Sequence, residues 1–159
     1  MPDDVAVQLG EALVRNKLKL AIAESCTGGL ASKMVTDVPG SSRYFVGSLC
    51  TYSNQAKLEL LGISEKVLMA HGAVSMDVAR EMALRAAKLF SAQAGIGITG
   101  IAGPGGSTEK KPIGLVYIVV VLNGDVAAAE HRFKGGRESV REQAARAALS
   151  QLLDKVNSA

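Results

Sequence analysis

The run from Gly114 to Leu122, Gly-Leu-Val-Tyr-Ile-Val-Val-Val-Leu, constrains this chain more than any other stretch. Its β-branched and aromatic residues suit a pleated, packed surface, which makes it the strongest strand in the sequence. Asn123-Gly124-Asp125 follows it, and Asn-Gly tolerates the positive φ values of a tight hairpin. Residues 126–133 are therefore predicted to return antiparallel to it. Earlier strands are separated by helical patterns instead, and strands joined through helices pair in parallel. The sheet must be mixed.

The remaining segments read in order. Val5, Leu9, Leu13 and Val14 share one face of a helix over residues 4–16. Lys17 to Ala23 reads as a strand that delivers Glu24-Ser25-Cys26-Thr27-Gly28-Gly29, after which Leu30, Met34 and Val35 mark a second helix. Pro39-Gly40 makes a turn before a strand over residues 45–52, and Asn54 caps a helix from Gln55 to Leu61. Ser64 caps a helix from Glu65 to His71. Ser75 caps another that runs to about Phe90, with Val78, Met82, Leu84, Leu89 and Phe90 on its apolar face. Residues 94–99 are a short buried strand ending in the glycine-rich loop Gly100 to Gly106, and residues 138–156 form the last helix. The order predicts an α/β fold with three layers, α/β/α. Its mixed sheet is mostly parallel and has about five strands, one of them antiparallel. At 159 residues, with no linker or repeat, the chain is expected to be one domain spanning residues 1–159.

Composition narrows the function. The net charge is +3 without a long basic run, which argues against nucleic acid as a partner. Two cysteines, Cys26 and Cys50, outside any CxxC or Cys/His cluster fit a reducing cytoplasm and argue against a zinc site. Both are expected to be small core residues. No apolar run reaches membrane-spanning length and no basic leader precedes one, so a cytoplasmic protein without membrane contact is expected.

Ligands of such folds gather at the C-terminal ends of the parallel strands. Those ends carry Glu24-Ser25-Thr27, Tyr52-Ser53-Asn54 and Thr99-Gly100, all rich in hydroxyls or glycine. The turn at Ser25 to Gly29 also opens a helix, whose free N–H groups and dipole suit an anion. Ser42 and Lys57 together offer a serine nucleophile and a lysine base, provided burial keeps the amine neutral. Residue chemistry alone leaves Ser25 and Ser42 both open as the nucleophile. The bland readings are a solvated helix lysine at Lys57 and surface ion pairs from Arg137 and Arg141 to Glu138 or Glu142. Ala23 to Thr27 lacks the glycines of a hydrolase elbow, and Gly103 to Lys111 lacks the Lys-Ser/Thr ending of a phosphate-binding P-loop.

Six blocks, in order, resemble the CinA C-terminal domain family, the nicotinamide-nucleotide amidohydrolases. They are Ala23 to Gly29, Pro39 to Ser42, Thr51 to Lys57 with Leu61-Gly62, His71 to Ser75, Thr99 to Gly106 with Lys111 to Gly114, and Gly136-Arg137 with Val140-Arg141. The resemblance covers about residues 5–155 and looks like a stand-alone form. It implies metal-free hydrolysis of the carboxamide of nicotinamide mononucleotide to nicotinic acid mononucleotide and ammonia, with no cofactor, and leaves room for a homo-oligomer. It implies Ser42 as nucleophile, Lys57 as base and Tyr52 as helper. Ser25, Thr27, Gly28, Thr99 and Gly100 would line the pocket, and Arg137 or Arg141 would hold the phosphate. The alternative within the same family is a silent nucleotide-binding or regulatory module tied to competence or damage responses. Gly136 departs from the acidic residue common before that arginine, and Thr99 stands where serine also occurs.

Overall fold

The computed structural model describes residues 1–159. Five strands form one sheet in the order β2-β1-β3-β4-β5. They are β1 Leu20–Glu24, β2 Phe45–Cys50, β3 Ala94–Gly100, β4 Leu115–Leu122 and β5 Asp125–Arg132. β1 pairs in parallel with both β2 and β3, whereas β4 is antiparallel to β3 and to β5. Four strands thus run one way and β4 alone runs against them. This is the α/β architecture expected from the sequence.

The helices divide between the faces by which strand residues they cover. α1 (Asp4–Arg15), α2 (Leu30–Thr36) and α6 (Arg137–Ser158) pack with Leu20, Ile22, Ile96, Ile98, Val116, Ile118 and Val120. α3 (Asn54–Glu59), α4 (Glu65–His71) and α5 (Met76–Leu89) cover the other face, where Ala21, Ala23, Val119 and Val121 point. Side chains alternate across a strand, so β3, Ala-Gly-Ile-Gly-Ile-Thr-Gly, is bulky toward α6 and bare toward α5. A Cβ at Gly95 or Gly97 would strike the α5 backbone at Ala83 or Ala79. Helix α5 therefore lies directly on the β3 main chain.

Local details differ from the sequence reading where tertiary packing decides. Ser53 rather than Asn54 caps α3, its hydroxyl accepting from Ala56 N–H at 3.0 Å. Val14 and Leu89 are exposed at the ends of their helices, beyond the reach of the sheet. Cys26 is buried but Cys50, the last residue of edge strand β2, is exposed. A single 3₁₀ turn, Ser41–Arg43, leads into β2.

Candidate active site

Because β1 and β2 run in parallel with Glu24 opposite Cys50, both chains leave the sheet at the same edge. Ser25 N–H donates to Ile98 O at 3.0 Å and Thr51 N–H to Glu24 O at 2.9 Å, which locks the three strand ends together. Helix α3 starts three residues later and brings Lys57 back beneath them. Lys57 is 1% exposed. Its Nζ lies 2.8 Å from Ser25 Oγ, 2.6 Å from Thr51 O and 3.2 Å from Tyr52 O. A carbonyl oxygen can only accept, so each of the two carbonyls holds an N–H of the amine. In the neutral amine the lone pair is then left facing the Ser25 hydroxyl. Burial pulls the Lys57 pKa down from 10.5 to about 8, and Lys57 forms no salt bridge with a carboxylate. A hydroxyl held against a desolvated amine is the arrangement of an activated nucleophile.

The turn after Ser25 is held from two sides. Glu24, 1% exposed, accepts from Gly29 N–H at 3.2 Å, Ala31 N–H at 3.0 Å, Ser32 N–H at 3.0 Å and Ser32 Oγ–H at 2.5 Å. The anion position at the start of α2, which the sequence offers to a ligand, is thus filled by the protein's own carboxylate. Arg141 donates from Nε to Cys26 O and from Nη2 to Thr27 O, each at 3.1 Å. Between Ser25 and Gly29 the N–H groups of Cys26 and Thr27 meet no acceptor. The Cys26 thiol is pushed up to about 12 by burial and is inert as an acid at neutral pH.

A cavity of about 270 Å³ opens over this pair. Ser25, Tyr52, Lys57, Thr99, Gly100 and Arg137 line it, together with Cys26, Ala73, Val74 and the Ile101 to Gly106 loop. Arg137 donates to Gly103 O at 2.8 Å and to Tyr52 Oη at 3.2 Å, and no carboxylate pairs with it. No Asp or Glu lines the cavity, so its charged groups are the Lys57 amine and the Arg137 guanidinium. Thr99 Oγ1 donates to Ala73 O at 2.8 Å, pinning the segment between α4 and α5 to the end of β3. A larger hollow of about 430 Å³ between α1 and the segment before β2 contains no hydroxyl paired with a buried amine.

Of the residues singled out in the sequence, Ser25, Lys57, Tyr52, Thr99, Gly100 and Arg137 meet in one place. Ser42 does not join them. It is exposed on the 3₁₀ turn at the start of β2, while Lys57 follows the end of that strand, about 20 Å away at ~3.3 Å per residue. The chain does not fold back across the strand, and Ser25 takes the place beside the amine. The Tyr52 hydroxyl, 59% exposed as a residue, accepts from Arg137, and only its carbonyl touches Lys57. Thr27 is enclosed with its hydroxyl unpartnered, and Gly28 and Arg141 lie behind the turn rather than in the cavity. Arg137 and Arg141 bind carbonyls and a phenol, and neither forms the surface ion pair to Glu138 or Glu142 that is the bland alternative to phosphate binding. The sequence reading does not assign Glu24 its contacts with the start of α2. Its signal was there, a carboxylate between a strand and a capless Gly-Gly helix start.

Known proteins share this arrangement of elements. The chain is 49% identical over 140 residues to a competence-damage inducible protein of Moorella thermoacetica, a match covering 88% of this chain and 34% of that protein. A CinA-like protein of Syntrophomonas wolfei is 47% identical over 150 residues, covering 94% of this chain and 36% of its own length. The chain therefore spans about a third of these relatives. A crystal structure of a CinA superfamily protein from Escherichia coli superposes with a TM-score of 0.94 at 33% identity, covering 98% of this chain and 90% of that one. The competence/damage inducible protein CihA of Agrobacterium tumefaciens gives 0.89 at 36% identity, covering 99% and 98%. The family model of the CinA C-terminal domain matches residues 2–156, and with these relatives and superpositions beside it the chain is a member of the CinA C-terminal domain family.

Proposed function

We propose that residues 1–159 form one amidohydrolase unit that cleaves the carboxamide of nicotinamide mononucleotide to nicotinic acid mononucleotide and ammonia. The observation that carries the proposal is the buried Lys57 amine 2.8 Å from Ser25 Oγ, with two carbonyls directing its lone pair at the hydroxyl. A binding module has no need of a base in that position.

In this reading Ser25 Oγ attacks the carboxamide carbon as neutral Lys57 takes its proton. The N–H groups of Cys26 and Thr27 receive the oxyanion. Lys57 returns the proton to the departing nitrogen, which leaves as ammonia. Water then adds to the acyl-serine ester, Lys57 again acting as base, and the acid is released with Ser25 restored. Arg137 takes the phosphate, since it is the guanidinium that lines the cavity and it has no carboxylate partner. Arg141 is already spent on two carbonyls. Tyr52 then orients Arg137 rather than moving a proton.

The test is ammonia release from nicotinamide mononucleotide, nicotinamide riboside and nicotinamide by the purified protein. Turnover of the nucleotide well above the other two supports the proposal. No ammonia from any of them would leave a nucleotide-binding module in its place.

A further inference from the structure

We infer that Glu24 and Arg141 are positioning residues that clamp the Ser25 turn from opposite sides and aim its two free N–H groups. The inference rests on reading Ser25 as the nucleophile. Glu24 takes the N–H groups on the helix side, at Gly29, Ala31 and Ser32, and Arg141 takes the carbonyls of Cys26 and Thr27. Gly28 N–H donates to Ser25 O at 3.0 Å and closes the middle of the turn. In a trans peptide the C=O and the following N–H point in opposite directions. Fixing Cys26 O on Arg141 therefore turns Thr27 N–H away from it, and fixing Ser25 O on Gly28 does the same for Cys26 N–H. These are the two donors the turn leaves unspent, and they follow the nucleophile immediately.

The clamps are matched to their tasks. A buried carboxylate needs hydrogen-bond donors, and Glu24 has four at the start of α2. A glutamine there would turn an N–H₂ toward those N–H groups. Arg141 spans successive carbonyls with a rigid fork that lysine, a single ammonium, cannot reproduce. Neither residue lines the cavity.

The experiment uses a neutral alkyl fluorophosphonate, which has no phosphate-recognition group. Serine oxygen bonds to phosphorus, fluoride departs and the serine proton passes to Lys57. Labelling rates are followed by intact mass, the labelled residue is mapped, and folding is checked by circular dichroism. Glu24→Gln and Arg141→Ala should each slow labelling of Ser25 by roughly ten- to a hundredfold, since small misplacements of a reacting group cost that much. Arg141→Lys should recover little. With nicotinamide mononucleotide the loss should fall on kcat, with KM within about threefold of wild type. Ser32→Ala, which removes the shortest bond to Glu24 and leaves the charge in place, should slow labelling about two- to fivefold even if Glu24→Gln fails to fold. Wild-type labelling rates in folded variants, with only the melting temperature lowered, would overturn the clamp. So would a raised KM with unchanged labelling in Arg141→Ala, which would make Arg141 a phosphate ligand. Label on a residue other than Ser25, or none on the wild type, would remove the nucleophile assignment and the clamp together.

Discussion

At the scale of single residues, the decisive feature is the enclosure of one lysine. Helix lysines are normally solvated, and nothing in Asn54 to Glu59 marks Lys57 as different. Its environment is set by Thr51, Tyr52 and Ser25, which lie outside the helix. With a pKa of about 8, roughly a tenth of the protein carries the neutral amine at pH 7. The neutral amine is the active form and grows as pH rises, and the lowered pKa brings that rise to about pH 8 in place of 10.5. The rate kcat/KM should climb close to tenfold per unit below about pH 8 and level off above it, measured from pH 6 to 9.5 with a check that the fold persists. A rate independent of pH across that range would take the proton-accepting role from Lys57. Lys57→Arg should lose about 10²–10⁴ in kcat, since a guanidinium stays protonated and cannot accept from serine. Much of this site could not be read from the sequence. Ser25 and Ser42 both follow strand or turn signals, and which hydroxyl faces Lys57 depends on β2 carrying the chain away from Ser42.

At the scale of elements, two contacts can be tested separately. The approach of α5 to β3 depends on Gly97, where a Cβ would strike Ala79 O and crowd Ala83 N of the helix backbone. Backbone cannot rotate aside as a side chain can. Gly97→Ala should cost about 1–3 kcal/mol and lower the melting temperature by several degrees in a thermal scan. An unchanged midpoint would mean that helix and strand are less closely seated. The start of α6 offers the second contact. Arg137→Ala should reduce kcat/KM for nicotinamide mononucleotide by roughly ten- to a hundredfold, the worth of a charge-assisted hydrogen bond at about 1.5–3 kcal/mol. The same change should leave the riboside almost unaffected. Equal losses on both substrates would remove Arg137 from phosphate binding.

At the scale of the whole molecule, the architecture was legible because local and global signals agree. The Val-rich run at β4 and its Asn-Gly turn announced the antiparallel pair, and Ser64 and Ser75 announced the starts of α4 and α5. The meeting of strand ends was legible for the same reason, since parallel β1, β2 and β3 must finish at one edge. What stayed hidden were pairings across that edge: Lys57 with Ser25, Arg137 with Gly103 and Tyr52, and Glu24 with the start of α2. These depend on where a side chain points after the chain has turned, which neither period nor propensity encodes. The proposed mechanism turns on Ser25, and the most direct measurement is ammonia release from nicotinamide mononucleotide by Ser25→Ala and Ser42→Ala beside the wild type. Ser25→Ala should lose at least about 10³-fold in kcat as the covalent route closes, while Ser42→Ala, an exposed change far from Lys57, should stay within about twofold. Loss of activity in Ser42→Ala with retention in Ser25→Ala would contradict it.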